Sequence, residues 1–114
     1  MNKNNQKDVT FYYERAIDKD DVGDLKGAIE DFSKAIEIDP MADNCYYGRA
    51  YDKEELGDLK GAIEDYTSAI EINPYHVDSY LNRGVSKNNL GDYKGAIEDY
   101  TKVIEIESIS ITFV

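Results

Sequence analysis

An eighteen-residue stretch recurs three times in this chain, and no other feature constrains the fold as strongly. Residues 23–40 read GDLKGAIEDFSKAIEIDP, and close variants of that stretch begin at Gly57 and Gly91. The starts lie 34 residues apart, which divides the chain without gaps into three units, residues 9–42, 43–76 and 77–110. A fixed period of this length indicates a repeat architecture in which neighbouring units bury each other's apolar faces. We expect one repeat domain over 9–110, after a flexible polar segment (1–8) and before an apolar tail (111–114).

Each unit contains the residues that begin and end two helices joined by a tight turn. Gly23 and its equivalents can adopt the left-handed backbone conformation that ends a helix. Asp24, which follows at once, is well placed to cap the second helix. Pro40 and Pro74 then stop the second helices of the first two units, because proline cannot continue a helix.

The second helix of each unit carries a stripe of small, aromatic and small residues. In the first unit Ala28, Phe32 and Ala35 are four and three residues apart, and this spacing puts them on one face of a helix. The other units repeat the stripe with Ala62, Tyr66 and Ala69 and with Ala96, Tyr100 and Val103. Small residues beside one large ring favour two closely packed antiparallel helices.

The period, the stripe, the Gly-Asp turn and the closing proline together resemble the tetratricopeptide repeat over residues 9–108. The first helices fit that family at its bulky and small positions, with Tyr12, Tyr46 and Tyr80 and with Ala16, Ala50 and Gly84. They depart from it where a second aromatic is replaced by Lys19, Lys53 and Lys87. The resemblance implies an all-α fold, an α-solenoid of three helix-turn-helix units in a right-handed superhelical array without a separate capping helix. The tyrosines at the stripe and bulky positions, Tyr12, Tyr46, Tyr66, Tyr80 and Tyr100, are then expected in the core.

By the same resemblance, the first helices build a concave groove that binds a peptide or protein segment. The expected groove residues are Tyr13, Glu14, Ile17, Asn44, Tyr47, Tyr51, Glu54, Glu55, Asp78, Leu81, Asn82, Val85 and Asn89, with Thr10, Asp20, Asp21, Gly48 and Asn88 beside them. Tyr13, Tyr47 and Tyr51 are expected to be exposed there. The acidic rim of Asp20, Asp21, Glu54 and Glu55 either favours Lys or Arg on the bound segment or is simply a solvated face. Chaperone-binding members of the family clamp an acidic peptide with Lys, Asn and Arg. The matching positions here hold Tyr13, Ile17, Gly48, Asp78 and Asn82, which argues against that ligand.

Charge and composition limit the kinds of partner that this protein is expected to bind. The formal net charge is -11 and the pI is about 4.4, which makes nucleic acid and anionic membranes unfavourable partners. The sequence contains no apolar run long enough to span a membrane and no secretory signal at its start. Its single cysteine, Cys45, is expected to pack in a first helix. Together these features predict a cytoplasmic protein.

The sequence contains no complete motif of an enzyme active site or a cofactor site. The segment from Asp18 resembles a calcium loop, but Val22 and Ile29 stand where oxygen ligands are needed. His76 is the only histidine, so no zinc set can form with Cys45, and a structural role is expected for it. Neither a phosphate-binding loop nor a nucleophile with a plausible base is present. We therefore predict no catalysis, no cofactor and no metal.

The C-terminus is the least regular part of the repeat. Ser108 replaces the closing proline, and Ile109, Ile111 and Phe113 alternate with polar residues as in a strand. The last second helix also leaves Ile97, Thr101 and Ile104 where a fourth unit would pack. Either the chain is a fragment or its tail folds back over this helix, or the face and tail pair with another copy through Ile97, Thr101, Ile104, Ile109, Ile111 and Phe113.

Two functions follow, and a catalytic or ligand-binding accessory role is a remote third. The leading hypothesis is an interaction module that binds a neutral or basic segment in its groove. The alternative is a structural array that dimerises or stacks through its uncapped last helix and tail.

Overall fold

The computed structural model describes residues 7–112, with side chains described for 7–109. Over this range the backbone forms six helices and no strand. They are α1 (Val9–Asp21), α2 (Leu25–Ile38), α3 (Asp43–Glu55), α4 (Leu59–Ile72), α5 (Val77–Asn89) and α6 (Tyr93–Thr112). Each helix packs against the next along the chain, and α3 also contacts α5. The all-α fold of three helix pairs confirms the predicted class.

The turn inside each unit has the predicted geometry. Gly23, Gly57 and Gly91 have φ values of 84°, 91° and 88°, a left-handed conformation that a side chain would strain. The carboxylate of Asp24 accepts a hydrogen bond from the backbone N–H of Gly27 at 3.0 Å. The same cap forms in the other two units, between Asp58 and Gly61 at 2.9 Å and between Asp92 and Gly95 at 3.0 Å. Each turn therefore satisfies its backbone groups locally.

The last helix does not end where the others do. Helices α2 and α4 end at Ile38 and Ile72, two residues before a proline, whereas α6 continues through the serine at position 108 to Thr112. Residues 109–112 therefore continue the helix, although their alternating pattern is typical of a strand. Without a proline or a pairing strand, adding one helical hydrogen bond per residue is the favoured continuation. Phe113 and most of the segment 1–8 lie outside the described residues.

The stripe residues form the core. Ala28, Phe32 and Ala35 are fully buried, and the middle unit buries Ala62, Tyr66 and Ala69 equally. In the last unit Ala96 is buried, while Tyr100 is half-buried. Tyr12 and Tyr46 are also only half-buried, contrary to prediction. Each of these rings lies beside the guanidinium of its own first helix. Tyr80 is buried as predicted.

A buried ion-pair cluster repeats in every unit, and it was not anticipated from the sequence. Asp65 of α4 accepts two hydrogen bonds of 2.8 Å from the Arg49 guanidinium and lies 3.0 Å from the Lys53 ammonium. The same arrangement joins Arg15 and Lys19 to Asp31, and Arg83 and Lys87 to Asp99. These carboxylates are buried, and each ties the first helix of its unit to the second. The lysines that replace the family's aromatic residue thus serve as ionic partners.

Candidate binding site on the first helices

A cleft of about 240 Å³ opens between α1 and α3. Its walls consist of Tyr13, Ile17, Asp20, Asn44, Tyr47, Gly48 and Tyr51. Five of the predicted groove residues therefore lie together, namely Tyr13, Ile17, Asn44, Tyr47 and Tyr51. Gly48 allows α3 to approach α2 closely, because a Cβ at this position would lie 2.4 Å from Cζ of Phe32 on α2. We call this the α1–α3 cleft.

The cleft continues along both helices. A second hollow of about 250 Å³ lies at their N-terminal ends and shares Tyr13 and Asn44 with the α1–α3 cleft. On the outer side of α1, Glu14 and Asp18 line a further hollow together with Tyr13 and Ile17. Tyr13 thus stands at the centre of a continuous surface on the first helices. Its ring rests on the buried ring of Phe32, with centroids 6.0 Å apart, and is half-buried rather than exposed.

Tyr47 is a fixed wall of the cleft. Its hydroxyl accepts a hydrogen bond of 3.0 Å from the Asn82 side chain, and its ring packs on Tyr66 and on His76. Burial is the main reason that the pKa of Tyr47 is raised above its ordinary value. Tyr51, in contrast, is 46% exposed. Of the three groove tyrosines, only Tyr51 has the predicted exposure.

The third unit contributes less to this surface. None of its described residues lines the α1–α3 cleft. Asp78, Leu81 and Asn89 are exposed on α5, whereas Asn82 and Val85 are half-buried. His76 has a structural role, because its ring accepts a hydrogen bond from the backbone N–H of Ser79 at the start of α5 and lies 3.2 Å from the Asn44 side chain.

The carboxyl of Asp20 on the cleft wall lies beside a second, buried carboxyl, a contact that the sequence did not indicate. Asp52 of α3 is completely buried, and among the described residues neither of its oxygens has a hydrogen-bond donor. Its neighbour is the carboxyl of Asp20, which lines the cleft. Burial, followed by the interaction with Asp20, raises the pKa of Asp52 to about 8. The raised pKa favours the protonated form of the Asp52 carboxyl at neutral pH.

The rest of the predicted acidic rim has mixed environments. Glu54 is half-buried and accepts a hydrogen bond of 2.7 Å from the Tyr66 hydroxyl. Glu55 and Asp21 are exposed to solvent. Phe32 occupies the position of Tyr66 in the first unit and has no hydroxyl to offer Asp20. Because of that difference between units, Glu54 has a tyrosine hydroxyl as its donor, and Asp20 receives none from the equivalent ring.

Comparisons with known proteins identify the family of these repeats. The family model described as tetratricopeptide repeat matches residues 9–40, 44–76 and 77–108, which together make up most of the chain. The chain belongs to the tetratricopeptide repeat family. No curated protein matches it by sequence.

Solved tetratricopeptide repeat structures share its fold. A crystal structure of MamA superposes with a TM-score of 0.91 at 22% identity, and the alignment covers 93% of this chain and 62% of MamA. The first such domain of Spaghetti (RPAP3), bound to the HSP90 peptide SRMEEVD, gives a TM-score of 0.85 at 24% identity over 88% of this chain and 79% of that one. The second RPAP3 domain, bound to the same peptide, gives 0.84 at 22% identity over 91% and 95%. At these identities the likeness establishes the fold alone.

The part of the chain that the structure describes has neither a helix that could span a membrane nor a cluster that could bind a metal ion. No helix within residues 7–112 is long and apolar enough to cross a membrane. Across the same residues, no cluster of three or more His, Cys, Asp or Glu side chains is arranged to hold a metal ion. Cys45 is buried, and burial raises the pKa of its thiol to about 11, which keeps it protonated.

Proposed function

We propose that this protein is a non-catalytic, cytoplasmic interaction module that binds a neutral or basic protein segment along its first helices. The observation that carries the proposal is the α1–α3 cleft, whose walls combine tyrosine rings and an aliphatic side chain with the carboxyl of Asp20. Tyrosine offers a large contact area and a hydrogen-bonding group at low entropic cost, which suits recognition of a peptide.

The charge of the cleft supports a basic rather than an acidic ligand. No Lys or Arg is among the described residues that line it. The arginines of the first helices face away, towards Asp31, Asp65 and Asp99 of the second helices. A Lys or Arg of a bound segment would meet the Asp20 carboxyl on the wall of the cleft. A net charge of -11 would further attract a basic segment.

The related RPAP3 domains support peptide binding by this fold but not the same ligand. They are seen with the acidic peptide SRMEEVD. In this chain, the positions that provide the basic clamp in chaperone-binding relatives hold Tyr13, Ile17, Gly48, Asp78 and Asn82. An acidic peptide would therefore meet rings and carboxylates rather than cations, which like-charge repulsion disfavours.

Selection from a random dodecapeptide library displayed on phage would test the charge preference. We expect the enriched peptides to carry a net positive charge and at least one Lys or Arg flanked by apolar residues. In a direct fluorescence-polarisation assay, SRMEEVD should show no saturable binding, whereas an enriched peptide should saturate. Enrichment of acidic peptides, or saturable binding of SRMEEVD, would refute the basic preference.

Substitution of the exposed tyrosine tests the site itself. Tyr51→Ala removes an exposed ring of the cleft without opening the core, so we expect binding of a selected peptide to weaken about tenfold while the melting temperature stays unchanged. Tyr75→Ala is the matched control, since Tyr75 is an exposed tyrosine in the turn before α5, outside the cleft. Equal losses for both variants, or no loss for Tyr51→Ala, would place the site elsewhere.

A further inference from the structure

The units are joined by a hydrogen bond that occurs twice in the same register. The Arg49 guanidinium of α3 donates through Nη1 to the Ser33 hydroxyl of α2 at 3.0 Å. One period later, Arg83 of α5 donates through Nη1 to the Thr67 hydroxyl of α4 at 3.1 Å. Each arginine thus binds the aspartate of its own unit with two nitrogens and the preceding unit with the third.

Isoleucines flank this hydrogen bond on the second helices. Ile29 and Ile36 lie four residues before and three residues after Ser33, and both are half-buried. Ile63 and Ile70 bracket Thr67 in the same way and are also half-buried. The second helix of each unit therefore contacts the next unit through a surface that consists of one hydroxyl and the two isoleucines that flank it.

Helix α6 presents the same surface to solvent. Thr101 takes the place of Ser33 and Thr67, and it is exposed. Ile97 and Ile104 on either side are each 64% exposed. We call these three residues, together with the exposed Ile109, the α6 face.

Helix α1 presents the complementary surface at the other end of the molecule. Arg15 takes the place of Arg49 and Arg83, and it binds Asp31 through Nε and Nη2. Its side chain is 36% exposed, compared with 20% for Arg49 and 15% for Arg83. Phe11, which contacts the Arg15 guanidinium, is an exposed apolar residue on the same edge. We call Phe11, Tyr12 and Arg15 the α1 face.

We propose that the α6 face binds the α1 face of a second copy of this chain, in the register of the internal repeats. The Arg15 guanidinium of the second copy then donates to the Thr101 hydroxyl of the first. Ile97 and Ile104 cover apolar surface of α1 in the way that their equivalents cover α3 and α5. Because the two faces differ and lie at opposite ends, the contact is head-to-tail and leaves a further α6 face open for another copy.

The polar side chains at the junction also fit this occupant. Between the first two units Asp20 faces Asp52, so two carboxyls oppose each other. The 34-residue period puts Asn88 and Asp18 at the corresponding positions of a junction between copies, and both are exposed. The Asn88 amide can donate a hydrogen bond to the Asp18 carboxylate. At the junction between copies an amide therefore meets a carboxylate, whereas inside the chain two carboxyls face each other.

Sedimentation velocity of the full chain tests this contact. At an ionic strength of about 0.3 M, which screens the repulsion between chains of charge -11, we expect the weight-average mass to rise steadily with protein concentration beyond that of a dimer. Ile104→Asp on the α6 face and Phe11→Asp on the α1 face should each raise the association midpoint at least tenfold. Both sites are exposed, and an acid in the first turn of α1 is compatible with the helix.

Mixing the two variants distinguishes the head-to-tail contact from other modes. Each variant keeps one intact face, so an equimolar mixture should form a heterodimer and grow no further. Met41→Asp, at an exposed apolar residue between units, is the control and should associate like the wild type. A wild type that stays monomeric overturns the proposal, and so does self-association of the Phe11→Asp variant, which would indicate that α6 pairs with α6. Tyr51→Ala should leave association unchanged, which separates this result from any failure of peptide binding.

Discussion

Asp52→Asn is expected to stabilise the protein, with the gain growing as the pH rises. The folded-state pKa of Asp52 is about 8, well above the ordinary value of 3.8, so the folded protein holds a proton that the unfolded chain releases between these pH values. The contribution of Asp52 to stability is therefore fully present below about pH 4 and is lost as the pH rises towards 8. Asparagine carries no charge at any of these pH values and avoids this loss. We expect a gain of about 2–4 kcal/mol at pH 9, the order of a pKa shift of this size, and little change at pH 4.

Urea unfolding followed by circular dichroism at pH 4, 6 and 9 would measure this effect. Asp18→Asn is the matched control, because Asp18 occupies the equivalent position in the first unit but is exposed, and its substitution should change stability little at any pH. A destabilised Asp52→Asn protein at pH 9 would show that the Asp52 carboxylate is satisfied in the folded state, which contradicts its raised pKa.

At low pH, the dependence of stability on pH is governed by the ion-pair clusters. Hydrogen bonds from Arg15, the largest cause, and from Lys19 lower the pKa of Asp31 to about 2. Its contribution to stability is therefore present above about pH 4 and is lost as the pH falls towards 2. Considered together, Asp31 and Asp52 place the maximum of stability of this acidic protein on the acid side of neutrality.

Asp65→Ala is expected to destabilise the protein strongly. Asp65 is almost fully buried and neutralises both Arg49 and Lys53, so its removal leaves two largely buried cations without their partner. Breaking a buried ion pair on one side costs about 3 kcal/mol or more, which is a large fraction of the stability of a small domain. For a chain of this size we expect the melting temperature to fall by about 10 °C.

Thermal unfolding of Asp65→Ala beside Glu64→Ala would measure this loss. Glu64 precedes Asp65 on α4 but is exposed, so its replacement should shift the melting temperature only slightly. A loss for Asp65→Ala no greater than for Glu64→Ala would mean that the cluster is a solvated surface arrangement.

Part of this structure was predictable because it is local and repeated. The glycine turns, the aspartate caps and the stripe around Phe32 depend on residues within one turn or one helix of each other, and they occur three times. The cluster of Arg49, Lys53 and Asp65 carried a signal of the same kind, since its three residue types recur at the same positions in every unit. Each of those residues also has an ordinary role on a solvated helix face, and for that reason the pattern was not interpreted as an ion pair.

The identity of the residues in the groove was predictable only in part. The family pattern indicates which positions of the first helices face inward, and the cleft unites five of the predicted residues. It does not indicate that Tyr47 is held by Asn82 or that Tyr51 remains exposed, because those contacts depend on how far each unit is rotated against the next. The alternation at residues 109–112 misled for a related reason, since an alternating pattern favours a strand only when a partner strand exists.

The 34-residue period of the sequence was sufficient by itself to determine the architecture, since three copies of one helix pair can bury their stripes only by stacking. The tertiary structure alone decided what happens at the junctions between units. Packing of the first two units removes Asp52 from water and sets it beside Asp20, and packing of successive units pairs each internal arginine with a hydroxyl of the unit before. The repeat fixes which residues recur, whereas desolvation and hydrogen bonding at the junctions depend on distances that only the packed units define.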